Sequence, residues 1–492
     1  MPVDTEHQNY IDYSPSWSRC RDAIDGLDAM HKAGAKYLSM LSGQDNQLYQ
    51  AYLKRADWYG AMNRTVQGLA GAAFRKDPTI ELPDGLEPWE DDVTQTGVPI
   101  KVFSRGLLDD LLGVGRVGCY VDMADEGDSG EPYLIAVPAE AAINWRVGRI
   151  DGQQILIRVV LKELIEEVNV DDDFVVDLVE QYRVLEIKDE VYQVQLWRKD
   201  DKKRDFIPFG PPIIPTFRGR HLMDVPELRS ITNGGIPFWF GGSTDLEVDA
   251  GKPPLRDLAD HNIAYFRNSA DLENALHYTG FPQAVAVGFP AKSSLQIGTA
   301  SAWTSSEVNA KAFYMEYKGD GLGTVLENMA RKKAEMAAMG ARLLEEQKKS
   351  TEAAETVRLR QSGDQASLVG MVEVVEAILN KALSFAVVWA GYAADAVEIR
   401  LNKDLIAITA TPEELNALGK ALTDRNISFE TFYHNLERLE LTRPGVDADE
   451  EQEAIENSIE GELGKRLSIV ANPPEAVDEE DIDAKVANIQ AA

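Results

Sequence analysis

Between Gly319 and Gly391 the chain runs for about seventy residues without a proline, and its apolar positions recur at helical spacing. The first half carries Leu322, Val325, Leu326, Met329, Met336, Met339, Leu343 and Leu344. The second carries Leu368, Met371, Val372, Val375, Ile378, Leu379 and Leu383. Recurrence every three to four residues predicts two amphipathic helices. Between them lies Gln347 to Glu355, where Lys348 and Lys349 can face the negative end of the first helix. Ser350 or Thr351 can cap the second helix, with Glu352 and Glu355 in its first turn. A helix from Leu322 to Lys349 would be roughly 40 Å long. That length suits a strut, a coiled coil or the wall of a channel.

The same reading extends to the rest of the chain. Residues 15 to 75 read as helical, in two stretches, Ser16–Leu41 and Asp45–Phe74, with a further helix from Ile100 to Leu112. Cys119–Met123 and Tyr133–Val137 form a hairpin around a polar turn, and Ile155–Leu164, Phe174–Ile187 and Val191–Trp197 are strands rich in valine, isoleucine and tyrosine. Pro208–Pro215 reads as an extended proline-rich segment, and Ile236–Phe240 as a short strand. Pro253 and Pro254 stand where a helix begins that runs to about Tyr278. Two strands, Ala284–Val287 and Ala312–Tyr317, separate it from the long helical stretch, and Val397–Leu401 is a strand after that stretch. Thr411 caps a helix to about Asp424, and Ser428 caps another ending near Leu439. The fold class is α+β, predominantly helical. Pro473–Ala492 has little that could pack and is expected to be disordered or to fold only on assembly.

Composition changes the picture in one respect. A chain of 492 residues has room for about three domains, but 82 acidic against 50 basic residues leave a net charge of -32. Such a surface repels phosphates at long range and argues against a protein that grips DNA, though not against a smooth passage for it. Cys20 and Cys119 form no CxxC pair and read as reduced thiols. No signal peptide is expected at the N-terminus. The most apolar run, Leu383–Ala394, is shorter than the ~20 residues a bilayer requires, so a soluble intracellular protein is expected.

Candidate chemistry is sparse. Gly321-Leu-Gly-Thr324 lacks the lysine of a phosphate-binding loop. His261 and His277 share a helix but lie too far apart to share a metal. Asn169, Asp171 and Asp173 resemble the start of a calcium loop without its glycine or closing glutamate. Asp177 with Glu186-Ile-Lys188 has the spacing of a magnesium nuclease site, and Glu316-Tyr-Lys318 offers a second acid–lysine pair. On one continuous strand, however, Asp177 and Glu186 are poorly placed to share an ion. No catalytic residue, cofactor or metal site is assigned, and the chain is not expected to be an enzyme.

Four stretches taken together resemble one family. They are Tyr52–Gly71 (YLKRADWYGAMNRTVQGLAG) running into Phe74–Pro78; Gly115–Asp122 (GRVGCYVD) with Pro132–Trp145 (PYLIAVPAEAAINW); Pro253–Leu272 (PPLRDLADHNIAYFRNSADL); and Asn426–Thr431 followed by the acidic Glu450–Glu462. In these the chain resembles the portal proteins of tailed bacteriophages, over about residues 40 to 465. The resemblance implies a portal-type subunit with a wing (1–250, N-terminal helices plus a β-rich part), a first stem helix (251–281) and a small α/β clip (282–318). It further implies a second stem helix (319–347), a tunnel loop (348–356), a long wing helix with a returning strand (357–410), a helical crown (411–465) and an acidic tail (466–492).

It also implies a homo-oligomeric, usually dodecameric, ring at a capsid vertex, assembled in the bacterial cytoplasm and retained in the virion. Double-stranded DNA would pass through it non-specifically. The terminase large subunit and a head–tail adaptor would dock on the clip, and the major capsid and scaffold proteins would surround the ring, with no membrane involved. Such an acidic ring holds no phosphate strongly, so DNA can slide in either direction. Lys332, Lys333, Lys348 and Lys349, with Ser350 and Thr351, are the expected channel contacts, and Lys292, Trp303, Glu307 and Lys311 the expected docking face of the clip. The bland alternative is that the lysines pair with Glu335, Glu345 and Glu346 or cap a helix. Competing functions are an acidic scaffold protein built on a coiled coil, which the breaks at Lys332-Lys333 and Gly340 disfavour, and a magnesium-dependent nuclease.

Overall fold

The computed structural model describes residues 2–123, 131–150, 152–168, 174–200, 205–280, 283–289, 295, 303–315, 321–340, 354–405, 412–439, 441–443 and 446–457. The fold is mixed α+β. The chain divides into two compact units, Met1–Leu405 and Ile406–Ala492.

The first unit opens with α1 (Gln8–Asp25) and α2 (Leu27–Ala33). Sequence periodicity joins these into one stretch, but Gly26 adopts φ +85 and turns the chain between them. α3 (Asn46–Arg55) and α4 (Ala61–Ala73) divide the second expected stretch, here without a left-handed glycine between them. β1 (Thr79–Glu81) and α5 (Pro88–Asp91) lead to α6 (Ile100–Val114). Gly115 ends α6 at φ +75, where a Cβ would meet Pro253 Cα at 3.0 Å, so no other residue suits the position.

Two antiparallel sheets follow. β2 (Arg116–Met123) lies between β3 (Pro132–Pro138) and β11 (Phe238–Gly242). β4 (Ala142–Ile150), β5 (Gln153–Val168), β6 (Val176–Lys188), β7 (Val191–Lys199) and β8 (Phe206–Ile213) form a five-stranded meander in sequence order. β8 is the proline-rich segment, which pairs with β7 from Phe206 to Ile213. Its place at the sheet edge tolerates Pro208, Pro211 and Pro212, because one side of an edge strand needs no ladder hydrogen bonds. The small β9 (Thr216–Phe217) and β10 (Arg220–His221) pair with each other before α7 (Pro226–Ile231).

Side-chain alternation gives the five-stranded sheet two different faces. Val159, Leu161, Leu185 and Val194 join the main core of the unit. Ile143, Val160, Tyr182 and Val184 form a second cluster, covered by Val3, Tyr10, Trp197 and Phe206. The N-terminal segment is held there by hydrogen bonds from Asn144 Nδ2 to Thr5 O (2.6 Å) and from the His7 amide to Ile143 O (2.9 Å).

After α8 (Arg256–Thr279) come the paired strands β12 (Gln283–Val287) and β13 (Lys311–Met315), then α9 (Leu322–Met339) and α10 (Ala354–Ala390). From Leu368 onward α10 is buried on nearly every face, against α6, α7, β2, β3 and β11. Gly241 lets it approach β11, since a Cβ there would stand 2.4 Å from Ile378 Cδ1. Asn380 exchanges two hydrogen bonds with the Ile399 backbone (2.8 and 3.0 Å), which fixes β14 (Glu398–Arg400) beside the helix and opposite β1.

The second unit contains α11 (Pro412–Thr423) and α12 (Phe429–Arg438), with further helix over 448–457. Ser428 caps α12 as expected, accepting from the Thr431 amide at 3.1 Å. Tyr433 Oη donates to Val446 O (3.0 Å), and Arg443 pairs with Glu451. The expected cap Thr411 lies outside the described residues.

Candidate nucleic-acid interface

The apolar spacing of α8 buries Leu258, Ala259, Ile263, Phe266 and Ala270 on one stripe, together with the polar Asn262 and Ser269. These two explain why α3 and α4 are separate helices. Ser269 Oγ accepts from the Asp57 amide (2.9 Å) and donates to Asp57 O (2.7 Å). Asn262 donates to Tyr59 O (2.7 Å) and accepts from the Met62 amide (3.1 Å). The backbone between α3 and α4 therefore meets side chains of α8 in place of helical partners, which satisfies groups that would otherwise be buried unpaired.

α9 packs along α8 and carries two of the expected channel lysines, Lys332 and Lys333. Lys332 is half-buried and donates from Nζ to Ala264 O at 3.0 Å. Burial, with Arg331 and Arg267 close by, holds its ammonium pKa below the ordinary 10.5, against an opposing pull from Glu335. Lys333 is exposed, with Nζ 4.9 Å from the centre of the Tyr59 ring and 5.2 Å from that of Tyr265. Arg64 lies 5.2 Å from the same Tyr59 ring. Neither lysine takes Glu335, which is met by Arg331 at 3.9 Å and His261 at 3.5 Å. Lys348, Lys349, Ser350 and Thr351 lie outside the described residues.

Further along α8, a groove of about 680 Å³ is lined by Arg19, Lys36, Tyr37, Asp260, Ile263 and Arg267 among others. Arg19 pairs with Asp260 (3.2 Å), and Lys36 with Asp22 and Ser18 (both 2.7 Å). Arg267 Nε donates to Tyr37 O at 2.7 Å. Arg64, Arg267, Arg331, Lys332 and Lys333 thus concentrate cations on the α4–α8–α9 surface of a chain whose net charge is -32. Sequence spacing gives no hint of this gathering, because Arg64 comes to the Tyr59 ring beside Lys333, and Arg267 comes near Lys332, only through packing. Cations held over aromatic faces or against a carbonyl can make weak, sequence-independent phosphate contacts.

Of the expected docking residues, Lys292 lies outside the described residues. Trp303 is half-buried with its ring 6.4 Å from Phe289, Glu307 is exposed with its amide on Ser305 Oγ (3.1 Å), and Lys311 is exposed opposite Val287. These three lie on or beside the β12–β13 pair, all five residues of β13 being exposed.

The nuclease spacing does not become a site. Asp177 and Glu186 lie on β6 nine residues apart, roughly 30 Å and on opposite faces. Glu186 is engaged by Arg158 (2.6 and 2.9 Å) and Gln193 (2.9 Å). Asn169, Asp171, Asp173, Glu316 and Lys318 are outside the described residues. Among the described residues no group of three or more histidines, cysteines and acids could hold a metal, and no helix is long and apolar enough to cross a membrane. Cys20 and Cys119 are free and buried, and burial pushes the Cys20 thiol up to about 12.

Residues 254–390 match a family described as a domain of unknown function, DUF4055. No curated protein matches the chain. Similar solved structures include the neck of an empty GTA particle computed with C6 symmetry, at 12% identity and TM-score 0.39, covering 84% of this chain and 98% of that one. Others are the virion of a native gene transfer agent (GTA) particle (12%, TM-score 0.37, 84% and 98%) and the neck of a native GTA particle computed with C12 symmetry (12%, TM-score 0.36, 83% and 98%).

Proposed function

We propose that this protein is a portal subunit of a tailed-phage-type particle, which assembles as a ring at the capsid vertex and conducts double-stranded DNA during packaging and ejection. The observation that carries the reading is the succession α8, β12–β13, α9, α10. Two long helices flank a small exposed two-stranded element, and a 37-residue helix follows them. That is the order of stem, clip, stem and wing helix which the sequence resemblance implies.

In this reading α8 and α9 are the stem, β12–β13 belongs to the clip that meets the terminase and the head–tail adaptor, and α10 carries the wing. The protein supplies no catalysis, and the terminase supplies the energy of translocation. Lys348 and Lys349 meet the passing DNA, and Lys332 and Lys333 contribute weaker contacts. Point charges suit this role, because a sliding polymer must be released as readily as it is touched.

Electron microscopy of the purified full-length protein tests the class, with a ring around a central hole expected. A stable monomer or a rod at micromolar concentration overturns the reading. Changing Lys348 and Lys349 together to glutamate tests the channel assignment within it. Particles carrying the change should package shorter DNA, and unchanged DNA length would remove the two lysines from the channel.

A further inference from the structure

The segment before α1 is tied to the five-stranded sheet through a side chain that can titrate. Residues 2–7 make one turn, the Thr5 amide bonding back to Pro2 O, and then run to the start of α1. Val3, Thr5 and His7 are half-buried, whereas Pro2, Asp4 and Glu6 are exposed. Beside the bonds that join Thr5 and His7 to β4, Asn9 Oδ1 accepts from the Ala250 amide at 2.7 Å. Val3 lies on the apolar cluster of Ile143, Val160, Tyr182 and Val184.

His7 is the joint between this segment and the helix. It is the N-cap of α1, and its Nδ1 accepts from the Asn9 amide at 3.2 Å. A ring nitrogen accepts only while it carries no proton, so this cap requires neutral His7 with its hydrogen on Nε2. Serine, threonine or asparagine would cap the helix without titrating, so a histidine here couples the cap to pH.

The surroundings of the ring act in the same sense. The His7 ring stacks on Trp145, with centroids 4.2 Å apart and 26° between the planes. The same indole meets Arg116, whose Cζ lies 4.2 Å from it and 3.9 Å from the Phe240 ring. Arg116 is 1% exposed, and none of its three guanidinium nitrogens has a hydrogen-bond partner among the described residues. The charged groups that act on His7 from packed elements are Arg116 on β2 and Asp249 before α8, which accepts from Trp145 Nε1 at 3.3 Å. Glu6 adjoins it in the chain. Burial above all holds the imidazole below its ordinary 6.5; Asp249 pulls the other way, and Arg116 adds to the effect of burial. A proton on His7 would break the cap, set a cation at the positive end of α1 and place it near a second buried cation.

We propose that residues 2–7 are a pH-operated strap, closed over β4 while His7 is neutral and released when His7 takes up a proton. Release uncovers the apolar cluster beneath Val3. The closed strap holds the proton less tightly than the open one. Its stability is therefore complete above 6.5 and falls as the pH drops from there to the lower pKa of the closed form. A single proton limits the change to about tenfold per pH unit. The inference stands apart from the ring reading.

Hydrogen exchange at the His7 and Asn9 amides of the full-length protein tests it, with rates corrected for their intrinsic dependence on pH. Protection should fall several-fold, and at most about tenfold, between about pH 7.5 and 5.5. The Val121 amide, bonded to Pro237 O in the core, should keep its protection. In His7→Asn the capping oxygen does not titrate, and the strap should be equally protected at both pH values. Wild-type protection that does not change, or a fall that persists in His7→Asn, overturns the proposal. Should loss of the Trp145 stacking open the variant at both pH values, an NMR titration of the His7 ring in the wild type decides. It should give a pKa below 6.5, and a value at or above 6.5 overturns the strap.

Discussion

α9 and α10 come from one proline-free run with similar apolar spacing, yet the protein uses them differently. In α9 only Met329 and Met336 are buried, and Leu326 is 53% exposed. In α10, from Leu368 to Trp389, nearly every face is covered. The neighbours make the difference. α10 lies among α6, α7 and the strands β2, β3 and β11, whereas α9 has α8 along one side and, at its end, Gly340 against Thr65 of α4. A helical stripe becomes core only where a second surface arrives to cover it. From Leu368 onward α10 is therefore internal architecture, and α9 presents most of its surface outward.

The largest test of that contrast is Leu379→Ala. Leu379 is 0% exposed, and its truncation should cost about 2–5 kcal/mol in urea unfolding. A loss below about 1 kcal/mol would contradict a tightly packed α10. Next comes Asn262→Leu on α8, the helix that supports α9. It leaves the Met62 amide and Tyr59 carbonyl without their partner, at about 1–3 kcal/mol. Hydrogen exchange at the Met62 amide should speed up with it, and wild-type protection would show that another group satisfies that amide.

A smaller effect concerns Lys332 on α9 itself. Its pKa in the folded chain lies below the ordinary 10.5 because burial disfavours the charge. The folded chain therefore releases this proton at lower pH than the unfolded chain does. Its contribution to stability should be constant below the folded pKa and rise with pH from there up to 10.5. An NMR titration of the ε-methylene checks the direction, and Lys332→Met should abolish the rise. The smallest change is expected from Leu326→Ser, within about 0.5 kcal/mol for the dissociated chain. A loss well above that would mean α9 is packed within its own subunit.

The hairpin of β2 and β3, the strands β5 to β7 and the Ser428 cap were legible because each depends on residues close in sequence: alternation, a polar turn, or a hydroxyl three residues before its amide. The separation of α3 from α4 was not legible. It depends on Asn262 and Ser269, about two hundred residues away. β8 was visible only as an extended proline-rich run, and its partner β7 made it a strand. Of the candidate site, Lys332 and Lys333 were picked out by sequence as breaks in an apolar stripe. Their partners, Ala264, Tyr59 and Tyr265, and the neighbouring Arg64 and Arg267, were invisible to it.

Sequence by itself thus determined the order of the elements, the acidic character of the chain and the position of its long helices. Those properties follow from local periodicity and from composition, which need no third dimension. Only the tertiary structure decided which helix is core and which is bare, where scattered cations gather, and that the proline-rich run closes the edge of a sheet. Burial and electrostatic proximity arise between residues distant in the chain, and no local pattern records which surfaces will meet.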